Sequence, residues 1–167
     1  MNLARLIKPE LIRLELQTTM PPEPEEPYNR QRFVWSTKEA VLSEIVDLIA
    51  EEQRIGSAKR LLQDISNREK KASTGLSDGV AIPHVRTREA REFTMAFARS
   101  TPGIEFDCID GGLAHLFFFF IAPPYDDVVY LRIYRQLATA FTYGDSAREL
   151  MAAANEGEVI RALRKMD

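Results

Sequence analysis

His84 ends the run Ser73-Thr74-Gly75-Leu76-Ser77-Asp78-Gly79-Val80-Ala81-Ile82-Pro83-His84 and is one of two histidines in the chain. An imidazole titrates near neutrality and has two nitrogens. One can be oriented by a carbonyl or carboxylate while the other acts as base, ligand or nucleophile. The residues before it restrict how it is presented. Gly75 and Gly79 can take positive φ and let backbone approach a ligand, while Pro83 fixes its own φ and pushes Ile82 toward extended geometry. The segment predicts a rigid loop and short strand that aim His84 outward. On the residues alone two readings stay open, a displayed nucleophile and an ordinary surface or capping histidine.

The elements that must position this loop show in the hydrophobic periodicity. Residues 3–7 can form a helical turn stopped by Lys8-Pro9, and residues 11–16 alternate enough for a strand. Residues 20–27 hold four prolines and three glutamates, which excludes helix interior and central strand and predicts a solvated Pro/Glu-rich loop at about residues 18–35. Ser36 with Glu39 forms a capping-box pattern, and Val41, Ile45, Leu48 and Ile49 share one face, so a helix is expected over residues 37–52. Gly56 breaks it. Ser57 can cap the next helix, with Leu61, Leu62 and Ile65 inward and Lys59, Arg60, Lys70 and Lys71 mostly toward water, a solvated end rather than a binding patch.

Phe93, Met95 and Phe97 alternate as a strand, after which Pro102-Gly103 is expected to turn the chain. Residues 116–121 are apolar throughout, with four consecutive phenylalanines, as in a central strand covered on both faces. Tyr130, Ile133, Tyr134, Leu137 and Phe141 have helical spacing. Ser146 with Glu149 suggests a capped short helix, and Val159, Ile160 and Leu163 mark a last one. The implied fold is α/β, a sheet sandwiched by helices.

At 167 residues and 45% apolar content the chain suits one domain with a substantial core, residues 1–167. A net charge of −3 gives no basic footprint, so nucleic acid is not expected as a partner. Cys108 is the only cysteine, which excludes an internal disulfide, and it reads as a small buried residue. Two histidines give no clustered zinc ligands, and no metal is expected. The longest apolar run, residues 113–122, contains His115 and is about half what a membrane helix needs. Arg5, Lys8, Glu10 and Arg13 interrupt any leader-like stretch. The expected location is the cytoplasm, without membrane insertion.

The string S-T-G-L-S-D-G-V-A-I-P-H resembles the phosphorylation-site signature of the fructose/mannitol-type enzyme IIA domains of the bacterial sugar phosphotransferase system, including their nitrogen-regulatory relatives. Other landmarks follow in the same order. Leu61-Leu62 and Arg68-Glu69 stand before the signature. Ala96-Phe97-Ala98-Arg99, Gly103-Ile104-Glu105-Phe106 and Asp110-Gly111 come after it, and then an apolar strand ends in Ala122-Pro123. The likeness runs from about Ser36 onward, with a weaker echo over residues 3–16. It implies a single-domain three-layer sandwich with a mixed β-sheet flanked by helices.

The resemblance also implies a chemistry. His84 would accept a phosphoryl group from a histidine-containing phosphocarrier protein and pass it to a cysteine or histidine of a IIB domain, with no cofactor. The dianionic transition state needs fixed donors and cations. The candidates are Arg68, the Thr74 hydroxyl and the backbone N–H groups from Gly75 to Gly79. Arg86 would share the side of His84 in an extended segment.

Three departures stand out: the proline-rich insert, Val85 where many relatives have glycine, and Tyr130 where the family commonly has a second active-site histidine. Tyrosine can donate a hydrogen bond there but cannot be cationic. His115, inside the apolar strand, reads as a half-buried strand histidine. Three functions are compatible with these residues: a transport phosphocarrier, a regulatory phospho-switch of the nitrogen type acting on partner proteins, and a non-catalytic binding module.

Overall fold

The computed structural model describes residues 2–52, 55–142 and 145–166. A 3-10 turn at Leu3–Arg5 leads into β1 (Ile7–Arg13), followed by α1 (Arg30–Glu51), α2 (Ala58–Lys71), β2 (Val80–Ala81) and β3 (His84–Arg86). Then come β4 (Thr94–Glu105), β5 (Leu113–Ala122), α3 (Asp127–Thr142), α4 (Ser146–Ala152) and α5 (Glu156–Arg164). The sheet order is β1-β4-β5-β2, and β3 continues along the same side of β5 as β2. β4 and β5 are antiparallel, while β1 runs parallel to β4 and β2 and β3 run parallel to β5. The expected mixed sheet between helical layers is what forms.

The four phenylalanines make both cores. Phe117 and Phe119 lie opposite Ala98 and Ala96 and face the cluster that holds Val41, Leu42, Ile45 and Ile49 of α1 and Leu61 and Ile65 of α2. Phe118 and Phe120 lie opposite Phe97 and Met95 and face Ile133, Leu137, Leu150, Val159 and Leu163 of α3–α5. Alternation along one strand therefore sends large side chains to both layers, and the alanines on one face leave room for α1 to approach. All four rings are fully buried, each stabilising the fold by about 2–3 kcal/mol.

Several boundaries differ from the sequence expectation. α1 begins at Arg30, not residue 37, because the Asn29 side chain accepts from Arg32 N and caps it, while the Ser36 hydroxyl lies inside the helix and bonds Phe33 O. The irregular segment thus ends at residue 29 rather than 35. It is tethered at its start, where Glu44 accepts from Gln17 N and Thr18 N. β1 starts earlier than residue 11, with a register shift between Ile7 and Ile12. β4 does not turn at Pro102-Gly103 but passes through them in a bulge between Arg99 and Ile104, with Gly103 at φ +84°. Ser146 does not cap α4, since Asp145 holds the cap position without a side-chain bond. Ser57 does cap α2, accepting from Arg60 N. Among the described residues no helix is long and apolar enough to cross a membrane.

Candidate functional site

His84 is the first residue of β3 and pairs with Phe120. The extended geometry set by Ile82-Pro83 turns its ring onto the face toward α3, where it stacks on Phe120 at 5.2 Å between ring centres. Tyr130 and Tyr134, one turn apart on α3, cover it at 5.3 and 5.0 Å. His84 is therefore only 5% exposed, which corrects the expectation of an outward-facing side chain. The proline does fix its direction, but toward a helix that the loop sequence gave no sign of. Val85 needs no positive φ. It pairs with Ile121 as an ordinary strand residue, and among the described residues the non-glycine ones at positive φ are Asp78 and Asp107.

The two imidazole nitrogens have different partners. Nδ1 lies 2.5 Å from Ile82 O. A carbonyl oxygen can only accept, so Nδ1 carries the proton and Nε2 the lone pair. Nε2 lies 3.4 Å from Nη2 of Arg68, whose Nη1 donates to Ala72 O at 3.0 Å. Burial, helped by the Arg68 charge, pushes the His84 pKa down to about 4, against the raising effects of the Ile82 bond and Glu69. The ring is neutral at pH 7 and its lone pair is available for attack.

A cleft of roughly 730 Å³ opens beside this ring, lined by Arg68, Lys71, Arg86 and Arg88, with Asp64 and Tyr130 among its other walls. His84 lies behind Arg68 and Tyr130. Arg86 shares the face of His84, as alternation predicts. It pairs with Asp127 and lies over the Tyr130 ring at 5.5 Å. Burial raises the Tyr130 hydroxyl above the usual tyrosine range, opposed by Arg68 and Arg86, so it remains a donor at neutral pH. Lys71, exposed at the helix end as expected, also lines the cleft, while Lys70, likewise exposed, lies over the Trp35 ring at 4.8 Å.

Arg68, His84, Arg86 and Tyr130 are thus brought together, whereas the groups expected to bind phosphate at Thr74, Gly75 and Gly79 have other partners. The Thr74 hydroxyl and N–H both donate to the Glu69 carboxylate, at 2.6 and 2.9 Å. Gly75 is a close-packing glycine, since a Cβ there would meet Phe106 O at 2.7 Å. Its N–H points to Ser73 Oγ. Gly79 has φ +77° and its carbonyl receives the N–H groups of His115 and Leu116. It sits beside the start of β5, about 17 Å along the sheet from His84 at 3.3 Å per residue.

His115 is half-buried, with Nδ1 against Ser100 O and Thr101 O, as expected of a strand histidine. Cys108 is buried and its thiol is pushed up to about 11, chiefly by burial. Among the described residues no group of three or more His, Cys, Asp and Glu could hold a metal ion.

Sequence reading missed Tyr134, Asp64 and Lys38. Tyr134 follows Tyr130 by four residues, the spacing that puts both on one helical face. Lys38 falls on the apolar face of α1, between Val34 and Val41-Leu42.

The site is thus a neutral histidine whose free nitrogen faces a guanidinium beside a cationic cleft, set on the mixed sheet of an α/β domain. The family model for the phosphoenolpyruvate-dependent sugar phosphotransferase system, EIIA 2, matches residues 30–166, and the chain belongs to that phosphotransferase family.

It is 32% identical over 124 residues to the fructose-specific EIIA component of Haloferax volcanii, covering 74% of this chain and 80% of that one. It is 30% identical over 117 residues to the nitrogen regulatory protein of Pseudomonas aeruginosa, covering 70% and 76%. Against the fructose-specific EIIABC component of Bacillus subtilis, 29% identity extends over 78% of this chain but only 20% of the relative.

Among solved structures, the nitrogen regulatory protein IIA-Ntr of Neisseria meningitidis superposes with a TM-score of 0.77 at 26% identity, covering 96% and 97% of the two chains. The mannitol enzyme IIA of Escherichia coli, solved in complex with phosphorylated mannitol enzyme IIB, shares the fold with a TM-score of 0.71 at 16% identity, covering 94% and 96%. The resemblance read from the signature is borne out, both its fructose-type and its nitrogen-regulatory branch.

Proposed function

We propose that the chain is a phosphocarrier in which His84 Nε2 accepts a phosphoryl group from a phosphohistidine carrier protein and passes it to an acceptor protein such as a IIB domain. The observation that carries this reading is the Nδ1 contact to Ile82 O with Nε2 turned to Arg68. In the forward step the Nε2 lone pair forms a bond to phosphorus as the donor's N–P bond breaks and its electron pair returns to the donor imidazole. The Nδ1 proton stays on the ring, held by Ile82 O, so the phosphorylated imidazole keeps a positive charge that makes it a good leaving group for onward transfer.

Charge on the three equatorial oxygens is met by Arg68, with Arg86 and Lys71 behind it, and Tyr130 supplies one O–H. The group reaches Nε2 from the cleft by displacing the 3.4 Å Arg68 contact. This reading puts the site in the cytoplasm, supported by the family match; among the described residues no helix is long and apolar enough to cross a membrane.

A second reading is favoured by the likeness to nitrogen regulatory proteins. Phosphorylation would add a dianion beside the exposed Tyr125, Val128 and Leu131 at the start of α3 and so change which partners that surface accepts.

The test is transfer from phosphoenolpyruvate through the two general carrier proteins, read by intact mass and acid lability. Wild type and His115→Asn are expected to gain one acid-labile phosphoryl group and His84→Ala none. No phosphate on wild type, with carriers shown to be competent, would replace this reading with a non-catalytic binding module.

A further inference from the structure

Lys38 is 2% exposed and Glu69 3%, and their side chains meet at 2.8 Å. The ammonium uses all three of its donors, on Glu69 Oε1, on Ser73 Oγ at 3.3 Å and on Asp107 Oδ2 at 3.2 Å. It also lies 4.7 Å from the centre of the Phe106 ring. A buried ion pair is a poor source of stability, because desolvation offsets much of the Coulombic gain. What this one supplies is a carboxylate held in a single place.

That carboxylate begins a continuous chain of hydrogen bonds. Glu69 accepts from Thr74 N at 2.9 Å and from Thr74 Oγ1 at 2.6 Å. Thr74 O accepts from Ile82 N at 3.0 Å, and Ile82 O accepts from His84 Nδ1 at 2.5 Å. Glu69 also directly follows Arg68 on α2. Holding it inward therefore fixes the helical rotation at which Arg68 reaches Nε2.

We infer that Lys38 and Glu69 are positioning residues for His84: the ion pair anchors Thr74, Thr74 anchors Ile82, and the Ile82 carbonyl selects the Nδ1–H tautomer that leaves Nε2 free. Neither residue touches the transferred group. Removing Lys38 leaves Glu69 as an uncompensated buried charge that leaves Thr74 for water or a proton. The backbone from Thr74 to Ile82 is then released and the imidazole samples both tautomers.

The test combines two-bond proton–nitrogen correlation spectra of the His84 ring with phosphorylation rates for wild type, Lys38→Met and Thr74→Val. Wild type is expected to show one protonated and one lone-pair nitrogen, with Nδ1 protonated. Lys38→Met is expected to bring the two nitrogen shifts toward each other and to slow phosphorylation by roughly tenfold or more, as a mis-set tautomer does to other histidine-dependent sites. Thr74→Val, which removes one carboxylate contact at nearly constant volume, shifts both readouts the same way by less.

A lowered melting temperature with the wild-type tautomer pattern intact in both variants would make the pair merely structural and overturn the inference. Should Lys38→Met fail to fold, an unchanged pattern in Thr74→Val overturns it alone. The rate readout rests on the phosphocarrier reading. The tautomer readout does not, so an unphosphorylated wild type with the expected tautomers would defeat only that reading.

Discussion

His84 and His115 lie on adjacent strands of one sheet, and both turn Nδ1 to backbone carbonyls. They differ in what faces the rest of the ring. Around His84 it is a guanidinium, two tyrosines and a cationic cleft. Around His115 it is the backbone of two glycines, so close that a Cβ on Gly103 would fall 2.7 Å from Cε1 and one on Gly79 3.2 Å from Cδ2. A pinned tautomer is common to both. Only at His84 does the free nitrogen meet a place for an anion, so on the proposed function the cleft and Arg68, more than the imidazole itself, set it apart from a packing histidine.

The comparison can be sharpened through pH. With its folded pKa near 4 and an unfolded value near 6.5, His84 refuses in the native state a proton that the unfolded chain binds. Its contribution is fully present above pH 6.5 and is lost as pH falls through 4, roughly 3 kcal/mol in all. Urea midpoints followed from pH 7 to 4 should fall more steeply in wild type than in His84→Phe, and equal slopes would refute the buried neutral ring.

Arg68→Ala removes the cation without touching the histidine. Phosphoryl uptake should slow about a hundredfold, measured in the same transfer assay with the fold checked by melting. A rate within twofold of wild type would mean that Arg86 and Lys71 suffice. Gly103→Ala probes the other histidine. Its positive φ and the His115 contact predict a loss of about 2 kcal/mol in chemical denaturation with phosphorylation unchanged, and a neutral result would show that the ring of His115 can yield.

How much of this could be read from the chain depends on which interactions are local. Period-2 and period-3.6 patterns located β5, α2, α3 and α5 because each buries one regular face or, for β5, two. The start of α1 was hidden because its first turn, Arg30-Gln31-Arg32, is polar and is fixed by the Asn29 cap and not by an apolar stripe. β4 read as two pieces because a bulge absorbs Pro102-Gly103 inside a strand.

At the site, Arg68, His84, Arg86 and Tyr130 were nameable from motif and alternation. The burial of His84 was not, since it comes from α3, more than forty residues later. The partners of Thr74, Gly75 and Gly79 were hidden for a related reason. A glycine turn beside a histidine looks like an anion cradle, but the turn's own partners are Glu69, Phe106 and β5, all outside the motif.

The two outer strands share a further property. β1 at one side of the sheet contains Lys8-Pro9-Glu10, all exposed, and on the other side Pro83 separates β2 from β3. Each proline lacks the N–H that an incoming strand would need, and in β1 the register shift between Ile7 and Ile12 further shortens the continuous run of free donors. The outer strand that carries His84 is thereby guarded, like β1, against pairing edge to edge with copies of the same chain and aggregating as extended sheet.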